Sequence, residues 1–253
     1  MKNLSIAACA FLGLFLFTSA GAAEIIRVYG PGGPLPAVKE AATAFEKKTG
    51  VRVEVTGGPT DKWIASAREN ADIVYSGSET MMTDFVYAMN GAIDNRDVYP
   101  LYLRPLAMLV KPGNPKKIRQ FSDMTKPGVK VLVVNGAGQN GVWEDAAGRL
   151  GNIETVRALR NNIVFYARNS ALAKDYWISH PDTDVWLIWN IWQVSNPKLA
   201  DAVPIESKYV IYRDTAVALT RSGKTRQAAI DFTSFLKSSD GKAIYRKWGW
   251  ITD

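Results

Sequence analysis

The sequence of 253 residues is poor in cysteine and histidine, the two side chains that most often carry covalent or metal chemistry. Its one cysteine, Cys9, lies in an apolar amino-terminal stretch, and its one histidine, His180, lies in the polar segment SHPD, which is typical of an exposed turn. A disulfide, a thiolate nucleophile and a cysteine-ligated zinc ion are therefore excluded beyond Cys9. G-x-S-x-G and EF-hand spacings are also missing, so we predict no cofactor, no metal ion and no enzymatic activity. A carboxylate enzyme using Glu79 and Asp214 is the weakest alternative.

Runs of one charge are absent as well. The chain has 31 Lys and Arg against 24 Asp and Glu, a formal net charge of +7, and its basic residues are scattered among acidic ones. Arms that bind nucleic acid usually carry a contiguous basic run, so this pattern predicts a solvated basic surface and no nucleic-acid partner. A basic surface favours encounter with small anions over cations.

One apolar run stands out at the amino terminus. Ile6–Phe17 is almost entirely apolar, Lys2 precedes it, and the small residues of Thr18–Ala23 follow it. This pattern predicts a signal peptide over residues 1–23, cleaved after Ala23 or one residue earlier, and export to the periplasm. The run is too short for a stable membrane span. Ile6–Cys9 resembles a lipobox, but most of the apolar run follows it, which disfavours a lipoprotein.

Beyond residue 23, short β-branched segments alternate with amphipathic ones, the pattern of an α/β fold with mostly parallel sheets flanked by helices. The predicted strands are Ile25–Tyr29, Val51–Val55, Ala71–Tyr75, Val129–Val134, Ile163–Ala167 and Asp184–Trp189. The predicted helices are Leu35–Lys48, Lys62–Glu69, Glu79–Asn90, Val142–Arg149, Ile153–Asn161, Ala171–Ser179, Arg226–Lys237 and Gly241–Trp248.

Two long extended segments interrupt this alternation. Tyr99–Pro115 and Lys208–Thr220 are each placed to cross from one group of strands to the other. They predict two lobes, in which residues 24–103 together with 208–253 form lobe 1 and residues 104–207 form lobe 2. Ligands of open α/β sheets bind beyond the carboxyl ends of the strands, so we expect a binding cleft between the lobes.

The loops that follow the predicted strands are rich in glycine and in small hydrogen-bond donors. They are Gly30–Pro34, Gly57–Thr60, Ser76–Glu79, Asn135–Gly141 and Asn169–Ala171. Backbone N–H groups in such turns and at helix starts bind anions. The first loop, GPGGP, lacks the G-x-G-x-x-G spacing of a dinucleotide site. Ser78 and Asn169 are also ordinary helix N-caps, but the recurrence of these loops at successive strand ends favours a shared anion site.

Cationic anchors for an anion are found in the two extended segments. Arg104 lies in the first and Arg213 in the second, and a guanidinium binds a carboxylate, phosphate or sulfate through two parallel hydrogen bonds. A salt bridge at the crossing is an equal alternative for both arginines. On a strand, Tyr209 would share one face with Arg213, and a core position is its alternative. Asn190, just past a predicted strand, is a weaker candidate donor.

The tryptophans of the second half of the chain suggest either a sugar-stacking platform or core packing. They lie in or beside apolar runs, so we assign them to packing. They are Trp186, Trp189, Trp192, Trp248 and Trp250.

A set of segments, taken in order, carries a family resemblance. They are RVYGPGGPLPAVKEAATAFEKKTG, ADIVYSGSETMMTDF, YLRPLAMLVKPGNPKKI, GVWEDAAGR and YVIYRD. Together they resemble the accessory colonization factor C family of exported solute-binding proteins, over nearly the whole chain beyond residue 23. The resemblance implies a type II periplasmic binding protein, a Venus flytrap of two lobes joined by two crossover strands, similar to sulfate- and molybdate-binding proteins.

The resemblance also implies a function. Relatives include binders of sulfate, molybdate and small organic anions such as citrate or phosphoglycerate, and some of them form dimers. Together with the export signal and the donor-rich loops, this predicts a protein that captures a small oxyanion or organic acid and presents it to a membrane transporter or sensor. The alternative that it leaves open is a surface adhesin or antigen with a vestigial cleft.

Donor-rich loops, cationic anchors and family motifs together define one predicted binding site. Its residues are Gly32, Gly33, Thr60, Ser76, Gly77, Ser78, Arg104, Gly136, Ala137, Gly138, Gln139, Asn140, Gly141, Asn169, Ser170, Tyr209 and Arg213. The chain departs from some relatives in one loop, where Gln139 and Asn140 replace a longer insert of serine and threonine. With fewer hydroxyl donors there, we expect a smaller anion or a different headgroup.

Overall fold

A computed structural model describes residues 24–253, and the predicted signal peptide lies outside the described residues. Within them, the strands are β1 (Ile25–Gly30), β2 (Arg52–Gly57), β3 (Ile73–Tyr75), β4 (Val98–Val110), β5 (Val131–Val134), β6 (Ile163–Ala167), β7 (Val185–Trp189), β8 (Asp201–Pro204) and β9 (Tyr212–Leu219). The helices are α1 (Leu35–Thr49), α2 (Ile64–Asn70), α3 (Glu79–Ala88), α4 (Val142–Gly148), α5 (Ile153–Asn162), α6 (Ser170–Ser179), α7 (Ile191–Ser195), α8 (Gln227–Lys237) and α9 (Ser239–Lys247).

The strands form one mixed sheet in the order β2-β1-β3-β9-β4-β7-β5-β6, with β8 paired to β4. One section holds β1 parallel to β2 and β3, and the other holds β5 parallel to β6 and β7. Helices pack on both sections, as predicted for an α/β fold. We call the two sections, each with its helices, lobe 1 (β1–β3, β9) and lobe 2 (β5–β8). The residue boundaries given above for the lobes stay a prediction.

The first strand-helix unit shows how the sequence pattern directs the fold. In β1, Ile26 and the residues from Val28 to Gly30 are buried, and α1 buries a stripe that runs from Ala37 to Phe45. Prolines lie in its first turn, where no intrahelical N–H bond is lost. The helix ends at Gly50, whose φ of 77° is left-handed and whose N–H donates to the carbonyl of Glu46.

Strand β4 belongs to both lobes, as the sequence predicted. Its first part, up to Pro105, pairs antiparallel with β9, and its last part, from Leu106, pairs with β7 on one edge and with β8 on the other. Proline has no N–H for a ladder bond, so Pro105 lies at the point where the strand changes partners.

The second crossing is shorter than predicted. The sequence suggests an extended segment from Lys208, but β9 begins only at Tyr212. A turn precedes it, in which the N–H groups of Tyr209 and Val210 both donate to the carbonyl of Glu206, at 2.8 and 3.0 Å. This local hydrogen bonding replaces the strand ladder over those residues.

Two short elements were missed by the sequence analysis. Helix α7 has five residues, too few for a periodic pattern, and β8 has four, is mostly exposed and ends in proline. The predicted packing of the tryptophans is confirmed for Trp186 and Trp250, which are buried, and for Trp248, which packs against the same core. Trp189 and Trp192 also pack against this core, and in addition they line a cavity. Among residues 24–253, no helix has the length and hydropathy to cross a membrane.

A pair of carboxylates lies beside the crossing strands. Asp214 is on β9 opposite Leu103, and Glu79 begins α3, which packs on β9. Burial raises the pKa of Asp214 and outweighs the lowering by backbone N–H groups and by Arg104. Burial, and then the charge of Asp214, raise the pKa of Glu79. Among the described residues, Oδ2 of Asp214 has no hydrogen-bond partner, so its ionised form is poorly solvated.

The core predicts unequal costs for two phenylalanine truncations. Phe232 is fully buried and packs edge-on against Phe45 at 5.3 Å, whereas Phe165 is 36% exposed. We expect Phe232→Ala to lower the free energy of unfolding by about 3–5 kcal/mol, because it leaves a cavity, and Phe165→Ala to lower it by much less. Urea denaturation measures both. Equal losses would contradict this placement of the core.

The raised pKa of Asp214 predicts a pH-dependent stability difference. The folded protein holds the Asp214 proton to a higher pH than the unfolded chain, so wild-type stability falls as pH rises through that window. Asp214→Asn keeps the shape without the charge. We expect this variant to exceed the wild type in free energy of unfolding at pH 7, and the difference to shrink toward pH 3. Urea denaturation across this pH range provides the measurement, and a pH-independent difference would refute the assignment.

Candidate functional site

A cavity of about 310 Å³ opens where the two lobes face each other. Its walls are mainly the loops after β1, β2, β3, β5 and β6, which are the carboxyl ends of parallel strands in both lobes. Strand β4 and the segment from β7 to α7 close its floor through Arg104, Trp189 and Trp192.

The cavity gathers much of the predicted site. The predicted residues that border it are Gly32, Gly33, Thr60, Gly77, Arg104, Ala137, Gln139, Asn169 and Ser170. They come from five different loops and one strand, so the fold assembles them from distant parts of the chain.

Arg104 is the cation at the base of this cavity. It is only 4% exposed, and its Nη2 donates to the carbonyl oxygen of Gly77. Its Cζ lies 4.9 Å from the ring centroid of Trp189 and 4.8 Å from that of Trp250. A side chain on Gly77 would crowd the guanidinium, because a Cβ there would lie 3.1 Å from Nη2.

Among residues 24–253, no carboxylate forms an ion pair with Arg104. Burial lowers its pKa to about 9, and the through-space attraction of Asp214 offsets this only in part. Its Nε has no hydrogen-bond partner among the described residues. A buried charge without a close counter-ion is costly unless it is paired and hydrogen-bonded, so this position favours an incoming anion.

Two further loops supply neutral donors. Nε2 of Gln139 donates to Oγ of Ser170 at 2.9 Å, which joins the β5–α4 loop to the start of α6. Oδ1 of Asn169 accepts from the N–H of Leu172 at 2.9 Å, so this side chain caps α6. All three residues border the cavity, and the side-chain oxygen of Asn169 is engaged in the helix cap.

Ser78 and Gly138 meet across the cleft instead of bordering the cavity. Oγ of Ser78 accepts from the N–H of Met81 at 3.2 Å, as an N-cap, and donates to the carbonyl of Gly138 at 3.2 Å. Gly138 has a φ of +75°, and a Cβ there would lie 2.7 Å from that Oγ. Only glycine permits this approach, and the contact joins lobe 1 to lobe 2.

Other predicted residues have structural positions outside the cavity. Oγ of Ser76 accepts from the N–H of Ala216 at 3.3 Å inside the sheet. Gly136 lies against the backbone of Arg168, and Gly141 caps the start of α4 with a φ of 72°. Asn140, beside it, is exposed and also lies away from the cavity.

Tyr209 and Arg213 also lie away from the cavity. Tyr209 stacks on Phe121 with ring centroids 4.5 Å apart, and Arg213 forms an ion pair with Asp145 at 3.2 Å. The prediction that both share one face of a strand is wrong, because Tyr209 precedes β9. For Arg213, the salt bridge at the crossing, weighed as an alternative, is the arrangement observed.

Several cavity residues were not in the predicted set. Arg168 is a second cation at the cavity, and it is exposed. It directly follows β6 and precedes the predicted Asn169 loop, and this position after a strand could have identified it from the sequence. Asp61 is exposed at the rim, where solvent screens its charge. Met81, Trp189 and Trp192 add apolar wall, and nothing in their sequence distinguishes them from core residues.

Comparison with known proteins agrees with this geometry. The family model described as bacterial extracellular solute-binding protein matches residues 26–251. No curated protein matches the chain.

Among solved structures, PEB3 from Campylobacter jejuni is similar, at 34% identity over 90% of this chain and 100% of that one. The TM-score is 0.85 for PEB3 bound to L-phospholactate and 0.83 for a further PEB3 structure. The sulfate-binding protein SubI from Mycobacterium tuberculosis has 18% identity, a TM-score of 0.74 and coverage of 90% and 86%. The periplasmic molybdate-binding protein of Azotobacter vinelandii has 17% identity, a TM-score of 0.66 and coverage of 90% and 99%.

These matches confirm the predicted type II periplasmic binding protein fold and the resemblance to the accessory colonization factor family, of which PEB3 is a member. The family binds solutes and is extracellular. The chain belongs to the bacterial extracellular solute-binding protein family.

Proposed function

We propose that this protein is a periplasmic solute-binding protein that captures a small oxyanion or organic acid between its lobes and presents it to a membrane transporter or sensor. In this proposal the signal peptide is cleaved near Ala23, and the lobes are residues 24–103 with 208–253 and residues 104–207. The observation that carries the proposal is the buried, un-neutralised guanidinium of Arg104 at the base of the interlobe cavity.

The charge balance of the cavity supports an anionic ligand. Arg104 and Arg168 border it, and the acid at the rim, Asp61, is exposed. An anion held by Arg104 would recover charge-assisted hydrogen bonds that the protein itself does not make. The desolvated position makes that interaction stronger than it would be at the surface.

The size and walls of the cavity support a small ligand with an organic part. A volume of about 310 Å³ is at the low end of small-molecule sites. Met81 and Trp192 add apolar surface to the lining, which suits a short carbon skeleton attached to the anionic group. The similar protein PEB3 has been solved with L-phospholactate, a molecule of this type.

The first test is a thermal-shift screen of the wild type and Arg104→Met. A ligand that binds only the folded state at 100 times its Kd stabilises it by about 2.7 kcal/mol, or roughly 5–10 °C in Tm. We expect this shift with L-phospholactate, phosphoglycerate, citrate, sulfate or molybdate, and none with sugars. Arg104→Met should abolish it without lowering the unliganded Tm, because replacing a buried charge with an apolar side chain is often neutral or stabilising.

Arg157→Met is the matched control, since Arg157 is an exposed arginine of α5 that pairs with Glu154. It should keep the full ligand shift. If no anion shifts the wild type, the capture function is wrong and the adhesin alternative gains support.

A second test places a negative charge at the cavity wall. Ser170→Asp sets a carboxylate against the incoming anion, and like charges in contact cost several kcal/mol, so we expect about 100-fold weaker binding of whichever anion gives the shift. Ser234→Asp, on the exposed surface of α8, is the control and should leave the Kd unchanged. Isothermal titration measures both. An unchanged Kd for Ser170→Asp would remove this loop from the site.

A further inference from the structure

The carboxyl-terminal segment from Gly249 to Ile251 is fixed to both lobes. Ile251 exchanges two backbone hydrogen bonds with Leu103 on β4, at 2.8 and 3.1 Å. The carbonyl of Gly249 accepts from Nδ2 of Asn190, which immediately precedes α7, at 2.7 Å. The segment is therefore held beside β4 on one side and beside α7 on the other.

Between these two anchors lies Trp250, whose ring covers the guanidinium of Arg104. Trp250 is 3% exposed and does not border the cavity, so it reaches a bound ligand only through Arg104. The backbone N–H of Trp250 donates to the carbonyl of Tyr245 at 3.1 Å. The indole ring packs edge-on against the ring of Tyr245, with centroids 5.9 Å apart. The indole is thus held in place by Tyr245 of the preceding helix α9 and by the pairing of the neighbouring Ile251 with β4.

We infer that Trp250 is a positioning residue for anion capture, which holds the guanidinium of Arg104 charged and aimed at the cavity. This rests on the function proposed above. The π face of an indole attracts a desolvated cation strongly, yet it is not a counter-ion and leaves the charge free for a ligand. A carboxylate in its place would neutralise Arg104 and compete with the ligand.

The inference predicts different consequences for different replacements of Trp250. Trp250→Leu keeps apolar bulk and removes the π face, and we expect it to weaken binding of L-phospholactate and sulfate about 10-fold. Trp250→Phe keeps an aromatic face and should recover most of that loss. Titration calorimetry gives each Kd, and circular dichroism confirms that the variants fold.

Trp248→Leu is the matched control. Trp248 lies two residues away, and its Nε1 donates to Glu40 at 2.7 Å. The cation near its ring is Nζ of Lys247, 5.8 Å from the ring centroid. This variant should lose stability with an unchanged Kd. If Trp248→Leu and Trp250→Leu weaken binding equally, Trp250 acts only through general packing and the inference is wrong.

A double-mutant cycle separates this inference from the proposed function. Because Arg104→Met is expected to abolish binding, the cycle is measured on the Tm without ligand, where the effect of Trp250→Leu should be smaller in the Arg104→Met background than in the wild type. If Arg104→Met retains binding, Arg104 does not bind the anion and the proposed function is contradicted at that residue. If Arg104→Met loses binding while Trp250→Leu retains the wild-type Kd, the function stands and the role of Trp250 is overturned. Additive effects on the unliganded Tm would also overturn it, even if no probe binds the wild type.

Discussion

Arg104 carries its charge in a position where burial disfavours it, and the surrounding chain tolerates that charge without neutralising it. Two indole rings, Trp189 and Trp250, and one backbone carbonyl, that of Gly77, are its partners. These groups stabilise a cation less than a carboxylate would, so part of the desolvation cost remains. That remainder is available to a ligand as binding free energy. The unliganded protein is thus less stable than it would be with a counter-ion beside Arg104, and a bound anion would supply that counter-ion.

The position of Arg104 in the chain explains why its charge lies between the two lobes. It directly precedes Pro105, where β4 leaves β9 and begins to pair with β7. A guanidinium at this change of partners is near both sheet sections, and its contacts come from Gly77 in lobe 1 and Trp189 in lobe 2. The same residue inside either section would face a packed helix. The change of strand partners in β4 therefore also places the charge of Arg104 between the lobes.

Much of the fold could be predicted from the sequence because it rests on local patterns. Helix α1, with its buried stripe and left-handed Gly50, and β4, with its long extended run, are specified by residues close in the chain. The carboxyl ends of the strands could be predicted as the walls of the cleft for the same reason. The turn before β9 could not, since it depends on which backbone groups Glu206 accepts from. Nor could the roles of Trp189 and Trp250, because a tryptophan over a distant arginine and a tryptophan in a core have the same sequence signature.

The predicted loops contain more polar groups than the cavity uses, because several of them make contacts within the protein. Oγ of Ser78 caps α3 and donates to the carbonyl of Gly138. Oδ1 of Asn169 caps α6. Small residues at these loop tips thus serve first to let the lobes approach, since a Cβ at Gly138 would collide with Ser78. What remains for a ligand is a small set of groups around Arg104, including Gln139 and Ser170. With so few polar groups left, discrimination among anions depends on the shape and charge of the cavity more than on a count of hydrogen bonds.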